Sequence, residues 1–88
     1  MSAKIRYFSS STCQPCKVLF PKMEKFAKEE GVELEKIVID ALKPGQTVPP
    51  DLMGVPSVDL YRDGEYLGRL GRDQSSVKNV RTFLLDVR

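Results

Sequence analysis

The sequence has no histidine and only two cysteines, so it is short of the side chains that bind transition metals. A structural zinc site takes four nitrogen or sulfur ligands, which one copy of this chain does not supply. An iron-sulfur cluster held between two copies stays open, because each would bring its own cysteine pair. Long apolar runs are also missing. The opening MSAKIRYFSS contains no uninterrupted apolar signal-peptide core, and no later stretch nears the ~20 apolar residues of a membrane span. Charge of one sign is not in excess either. With 14 basic and 12 acidic residues interspersed, and no basic segment interleaved with aromatics, nucleic acid is not an implied partner. No internal repeat or low-complexity tract occurs. At 88 residues the expectation is a single domain over residues 1–88, soluble, cytoplasmic and monomeric, with one core burying roughly 60–65% of the extended-chain surface.

The two cysteines that are present stand in the stretch Cys13-Gln14-Pro15-Cys16. A secreted domain of this size would carry several structural disulfides, whereas one Cys-x-x-Cys in an otherwise cysteine-free chain favours redox or metal chemistry. The stretch follows a strand-like run and opens a helix-like one. A free thiol titrates near ~8.5, and a helix N-terminus or a Cys-x-x-Cys pair lowers that value. Cys13, at the first turn, is the expected attacking sulfur. Pro15 suits a helix start, where its missing N–H costs nothing. Cys16, deeper in the turn, is placed to resolve a mixed disulfide by attacking Cys13.

The remaining elements follow from periodicity and punctuation. Residues 5–9 read as a short strand, and the hydroxyls of Ser9, Ser10, Ser11 and Thr12 as caps for the helix beginning near Cys13. That helix should run to Glu30 and stop at Gly31. Leu19, Met23, Phe26 and Ala27 face the core, Lys22, Lys25, Lys28 and Glu29 face water, and Pro21 introduces a kink. Residues 34–39 read as a strand covered on both faces and parallel to the first. Residues 41–53, with Pro44, Gly45, Pro49 and Pro50, read as a loop holding at most one short helix near 50–53. Residues 57–61 and 65–70 form a hairpin around Arg62-Asp63-Gly64, and Gly71 ends the sheet. Ser75 or Ser76 then caps a last helix with the stripe Val77, Val80, Phe83, Leu84 and Val87.

This order, with Cys-x-x-Cys opening the first helix, resembles the thioredoxin-like fold in a minimal, glutaredoxin-sized form over nearly the whole chain. Cys13-Gln14-Pro15-Cys16-Lys17 is similar to the thioredoxin Cys-Gly-Pro-Cys-Lys, and Pro21 stands where that family carries a kink proline. Gly54-Val55-Pro56-Ser57 resembles its Gly-Ile-Pro-Thr, which implies a cis bond before Pro56 and a proline facing the cysteines. Lys36, Asp40, Asp63-Gly64 and Gly71 also match. The resemblance implies an α/β fold, β-α-β-(short α)-β-β-α, with a central four-stranded mixed sheet and helices on both faces.

It departs from full thioredoxins in lacking their extra N-terminal strand and helix, and in having Thr12 and Ser9 at two tryptophan positions. Tyr7 occupies the place of their buried aspartate, which leaves the proton acceptor for Cys16 open. Tyr7-Phe8-Ser9 and Val55-Pro56-Ser57 are also similar to glutaredoxins, and Gly71-Arg72-Asp73 partly matches their glutathione-carboxylate motif.

The activity implied is thiol-disulfide exchange that reduces protein disulfides, with no bound cofactor beyond the redox-active pair. Electrons would come from NADPH through a thioredoxin reductase, or from glutathione. Clients would be disulfide-containing proteins such as a ribonucleotide reductase or a peroxidase. Thr12, Gln14, Pro15, Val55 and Pro56 are the expected client-binding residues, the client lying along Val55 as an added strand. Lys36 and Tyr7 are candidates for electrostatic assistance, although a solvated strand lysine and a half-buried packing tyrosine are the plainer readings. Gly71, Arg72 and Asp73 are candidates for glutathione contact; Arg62, Arg69, Arg81 and Arg88 read as solvated surface. Two alternatives stay open: a glutathione-dependent glutaredoxin, and a docking or iron-sulfur carrier module on the same fold.

Overall fold

A computed structural model describes the backbone of residues 3–71 and 74–86 and their side chains as far as Leu84. The elements are β1 (Ala3–Ser9), α1 (Gln14–Glu30), β2 (Glu33–Val38), β3 (Ser57–Arg62), β4 (Glu65–Leu70) and α2 (Val77–Asp86). They form one four-stranded sheet in the order β2-β1-β3-β4. β1 runs parallel to β2, to which α1 connects it, and antiparallel to β3; β3 and β4 make the hairpin.

Strand register sorts the side chains into two faces. Ile5 stands opposite Leu34 on one side and Leu60 on the other, and Tyr7 opposite Lys36 and Val58. Successive strand residues point to opposite faces, so Ile5, Tyr7, Val58 and Leu60 share one. Met23, Phe26 and Ala27 of α1 and Val80 and Leu84 of α2 pack on it as one core. Each such side chain contributes about 1.5–3 kcal/mol when fully buried. The expected inward stripe of α1 is thereby met, with Leu19 at its partly buried margin. Pro21 lies within α1 without ending it, and Gly31 closes the helix at φ 67°. That left-handed conformation is the one glycine adopts without a Cβ penalty.

Both helices cover the same face, contrary to the expectation of helices on both. The other face carries Lys4, Arg6, Glu33 and Glu35, joined by Lys4–Glu33, Lys4–Glu35 and Arg6–Glu35 ion pairs. Hydrogen bonds from Gln46 and Lys4 outweigh the burial of Glu35 and hold its carboxyl below the usual range. β2 is an edge strand, so the reading of it as covered on both faces does not hold. Only Ile37 is fully buried there; it stands opposite the buried Phe8 on the face away from the helices, while Leu34 on the helix face is partly buried. No short helix forms between Pro50 and Met53; a turn closed by the Leu52 N–H on the Pro49 carbonyl (3.2 Å) occupies the place. With three prolines close by and no apolar stripe, that segment has nothing to drive a helix.

The hairpin turn is as its residues require. Asp63 and Gly64 have φ of 52° and 84°, the pair of positive values that a tight turn between right-twisted strands needs. Ser76, and not Ser75, caps α2, its Oγ accepting the Asn79 N–H at 3.2 Å. Of the α2 stripe, Val80 and Leu84 are buried, Val77 and Phe83 partly so, and Val87 lies outside the described residues. Within the described residues no helix is long and apolar enough to cross a membrane.

Gly68 of β4 has φ 153°, and a Cβ there would stand 3.0 Å from the Phe83 ring edge. Gly68→Ala should therefore cost about 1–3 kcal/mol in denaturant unfolding, by strain and overpacking together. Phe83→Leu in the same chain should restore part of it. A Gly68→Ala chain as stable as the parent would contradict this packing of α2 on β4.

Candidate active site

The site begins where β1 ends. The Cys13 N–H bonds back to the Ser10 carbonyl (3.2 Å), and the first helical hydrogen bond runs from Lys17 N–H to the Cys13 carbonyl (3.3 Å). Cys13 is the N-cap residue of α1, in extended conformation at φ −85° and ψ 103°. Its Sγ accepts the Cys16 N–H at 3.2 Å. The expectation that a hydroxyl of the preceding loop caps the helix is thus corrected: the sulfur does. Gln14 and Pro15 fill the first helical positions, and no acidic residue lies in the first turn to offset the helix dipole.

Cys13 and Cys16 are joined as a disulfide, with Cα atoms 5.3 Å apart. Cys13 is half-buried, whereas Cys16 is only 2% exposed. One sulfur is reachable from outside and the other only from its neighbour, which is the asymmetry an attacking and resolving pair requires.

The loop before Cys13 is tied to the end of β2. The Asp40 carboxylate accepts the Ser11 N–H at 3.0 Å and the Ser11 hydroxyl as well, and these bonds hold its carboxyl below the usual range. Ser10 and Thr12 hydroxyls lie 3.4 Å apart. Across the site the Val55–Pro56 bond is cis. The Ser57 hydroxyl donates to the Gly54 carbonyl (2.6 Å), and the buried Ser75 hydroxyl donates to the Pro56 carbonyl (3.3 Å). An open depression of about 460 Å³ is lined by Thr12, Cys13, Gln14, Pro15 and Val55. Four expected client-contact residues, Thr12, Gln14, Pro15 and Val55, thus line the same depression as Cys13. Pro56 is buried directly behind Val55 and does not line the depression.

Tyr7 is fully buried, more so than the half-buried packing role expected of it. Its hydroxyl donates to the Cys16 carbonyl at 2.9 Å, and its ring meets Phe20 at 5.2 Å. Burial pushes its hydroxyl up from 10.0 to about 12, so it is a fixed donor at neutral pH and takes no proton from Cys16. Lys36 is exposed and places its Nζ over the Phe20 ring, 4.6 Å from the centroid. Gly71 is in place beyond β4, its carbonyl accepting the Gln74 N–H at 2.9 Å. Arg72 and Asp73, the other candidates for glutathione contact, lie outside the described residues, as does Arg88.

Asp59 and Arg69 were not singled out as a pair by sequence. Asp59 is 1% exposed and holds Arg69 through two bonds, Nε at 2.5 Å and an Nη at 3.1 Å. Arg69 is therefore not the solvated surface residue expected. The only sequence signal was an aspartate within a strand; a bulge at Leu60/Tyr61 shifts the hairpin register so that Asp59 stands opposite Arg69 and not Gly68. Asp59 aligns with Arg6 and not with Tyr7, so this carboxylate lies on the sheet face away from Cys16.

Tyr7 generates a prediction with a definite sign. Its folded value, about 12, lies above the unfolded 10.0, so its contribution is complete below pH 10 and is lost as pH rises towards 12. Tyr7→Phe should lower stability at neutral pH by about 1 kcal/mol, the loss of one hydrogen bond. It should also lose less stability than the parent between pH 10 and 12, the window those two values define. Unfolding titrations that fall in parallel for both chains would contradict it.

No protein-family model matches the sequence. The thioredoxin of Acetoanaerobium sticklandii is 26% identical over 78 residues, 88% of this chain and 74% of that protein. The thioredoxin of Peptoclostridium acidaminophilum is 30% identical over 82 residues, 91% of this chain and 73% of that protein. Among solved structures, thioredoxin 1 of the thermophilic eubacterium Thermosipho africanus superposes with a TM-score of 0.80 at 25% identity, covering 96% of this chain and 92% of that one. A mixed sheet with two helices, a Cys-x-x-Cys pair at the start of α1 and relatives of this similarity together place the chain in the thioredoxin family, as a thiol-disulfide oxidoreductase that reduces protein disulfides.

Proposed function

We propose that Cys13 is the nucleophile and Cys16 the resolving thiol of a protein-disulfide reductase acting as a general electron donor in the cytoplasm. The observation that carries this is the cap of α1. A sulfur that accepts the Cys16 N–H at the positive end of a helix is stabilised as a thiolate once the disulfide is reduced.

In the reaction the Cys13 thiolate attacks one sulfur of the client disulfide, and the other sulfur leaves as a thiolate. Cys16 then loses its proton and attacks Cys13 Sγ. The client's second sulfur departs, and both client thiolates take up protons. Two electrons have moved to the client, and Cys13–Cys16 is again a disulfide. No prosthetic group takes part. An extended client segment along Val55, pairing with its backbone, would aim its sulfur at Cys13; the depression lined by Thr12, Gln14, Pro15 and Val55 supports that path. The thioredoxin relatives favour recycling by a thioredoxin reductase and NADPH over recycling by glutathione. The chain acts as one domain and as a monomer in this reading.

Cys16→Ser should accumulate mixed disulfides between Cys13 and client proteins, released by a small dithiol and absent from a Cys13→Ser, Cys16→Ser chain. Failure to trap any client through Cys13 would overturn the assignment. NADPH should be consumed when oxidised protein is supplied with thioredoxin reductase and a protein disulfide. Consumption only with glutathione and its reductase would move the protein to the glutathione-dependent class.

A further inference from the structure

Between Ile37 and Pro56 no residue is fully buried. This long connection carries Val55 to the site with no fully buried side chain to hold it; Val48, Pro49 and Leu52 are half-buried, and Met53, just before the turn into Val55, is 97% exposed. A few polar ties add to that partial burial. Gln46 holds the first half, donating to Glu35 and to the Lys36 carbonyl at 3.1 Å each, while its own side-chain oxygen accepts the Lys43 N–H at 3.0 Å. In the second half, the Ser57 hydroxyl holds the Gly54 carbonyl at 2.6 Å, and Arg69 reaches Asp51 at 3.1 Å, four residues before Val55.

Arg69 is suited to be the fixed side of this tie. Its guanidinium is already held by both oxygens of the buried Asp59. Little side-chain freedom is left to lose when Asp51 binds, which is the cost that makes most surface ion pairs weak. The free energy of the pair therefore falls mainly on the loop that carries Asp51.

We infer that Arg69, anchored on Asp59, is a positioning residue that sets the client-binding segment at Val55 through its ion pair with Asp51. This rests on the reading above in which the client lies along Val55. Arg69 and Asp51 touch neither sulfur, so the tie acts on docking of a protein substrate and leaves the attack of Cys13 as it is. A small aromatic disulfide, which needs no strand-like pairing with Val55, should not sense it.

The test uses the full chain. Arg69→Met would strand the Asp59 carboxylate in the fold and is a poor first variant. Asp51→Asn removes only the exposed partner, whose side chain is 79% accessible. With insulin as the protein disulfide and thioredoxin reductase as recycler, Asp51→Asn should raise KM about three- to five-fold with kcat within about two-fold. Its rate with the small aromatic disulfide should not change. Asp51→Glu, which keeps the carboxylate, should return KM towards the parent value. NMR order parameters of the Met53, Gly54 and Val55 amides, measured independently of activity, should fall in Asp51→Asn and recover in Asp51→Glu.

Unchanged order parameters would overturn the tie itself. Lower order parameters with an unchanged KM would overturn its role in docking. A parent protein that reduces no protein disulfide would instead overturn the underlying reading, and the order parameters would still decide whether Asp51 and Arg69 hold the loop.

Discussion

The N–H of Cys16 meets the sulfur of Cys13, and this contact depends on where α1 begins. A helix leaves its first N–H groups without partners, so something must satisfy them. In this chain the cysteine sulfur does, which makes one residue both the end of the loop and the reactive atom. The start of the helix is in turn set by the Ser10 carbonyl, by Asp40 holding Ser11, and by Pro15, which allows a helix to begin and not to extend backwards. Tyr7 then supports the turn from beneath by donating to the Cys16 carbonyl. Cys16, the resolving thiol in the proposed reaction, is thereby held by a group that does not titrate near neutral pH.

The sheet's two faces divide the labour. One is apolar and carries α1 and α2, which fixes the helix whose first turn is the site. The other carries ion pairs among Lys4, Arg6, Glu33 and Glu35 and the Asp51–Arg69–Asp59 set, beside the buried Phe8 and Ile37. A connection with no fully buried side chain follows β2, and it delivers Val55 to the same opening that Cys13 reaches from the helix side. Ser75 fastens the segment beyond Val55 at the Pro56 carbonyl, and Ser57, at the Gly54 carbonyl, and Arg69, at Asp51, fasten it before. The Val55 segment and the cysteine pair, the proposed sites of client recognition and of chemistry, are thus supported by separate parts of the fold.

The strands, both helices and the hairpin were legible because each rests on local signals. Gly31 ends α1 with a left-handed residue, Asp63-Gly64 makes the tight turn, and Val80 and Leu84 show the stripe of α2. What was missed depends on partners far along the chain. Residues 34–39 read as a strand buried on both faces, yet whether a strand lies at an edge is decided by the others in the sheet. The short helix expected near residues 50–53 is a proline-rich turn tied by Asp51, and among the described residues no helix covers the face of Lys4 and Arg6. Arg69 read as solvent-exposed because a lone arginine in a strand does not announce a buried Asp59 ten residues earlier. The cysteine pair was clear from spacing alone. That Tyr7 donates to the Cys16 carbonyl was not, since it depends on how β1 lies under α1.

The central claim is that Cys13, by capping α1, is the low-pKa thiol while Cys16 is shielded. The most direct test is the pH dependence of alkylation of the reduced protein, with mass spectrometry assigning each modified cysteine. The account predicts that Cys13 reacts first and with a midpoint below the ordinary ~8.5 of a free thiol, and that Cys16 stays unmodified in the folded chain. Cys13 titrating at or above that value, or Cys16 reacting ahead of it, would contradict the account.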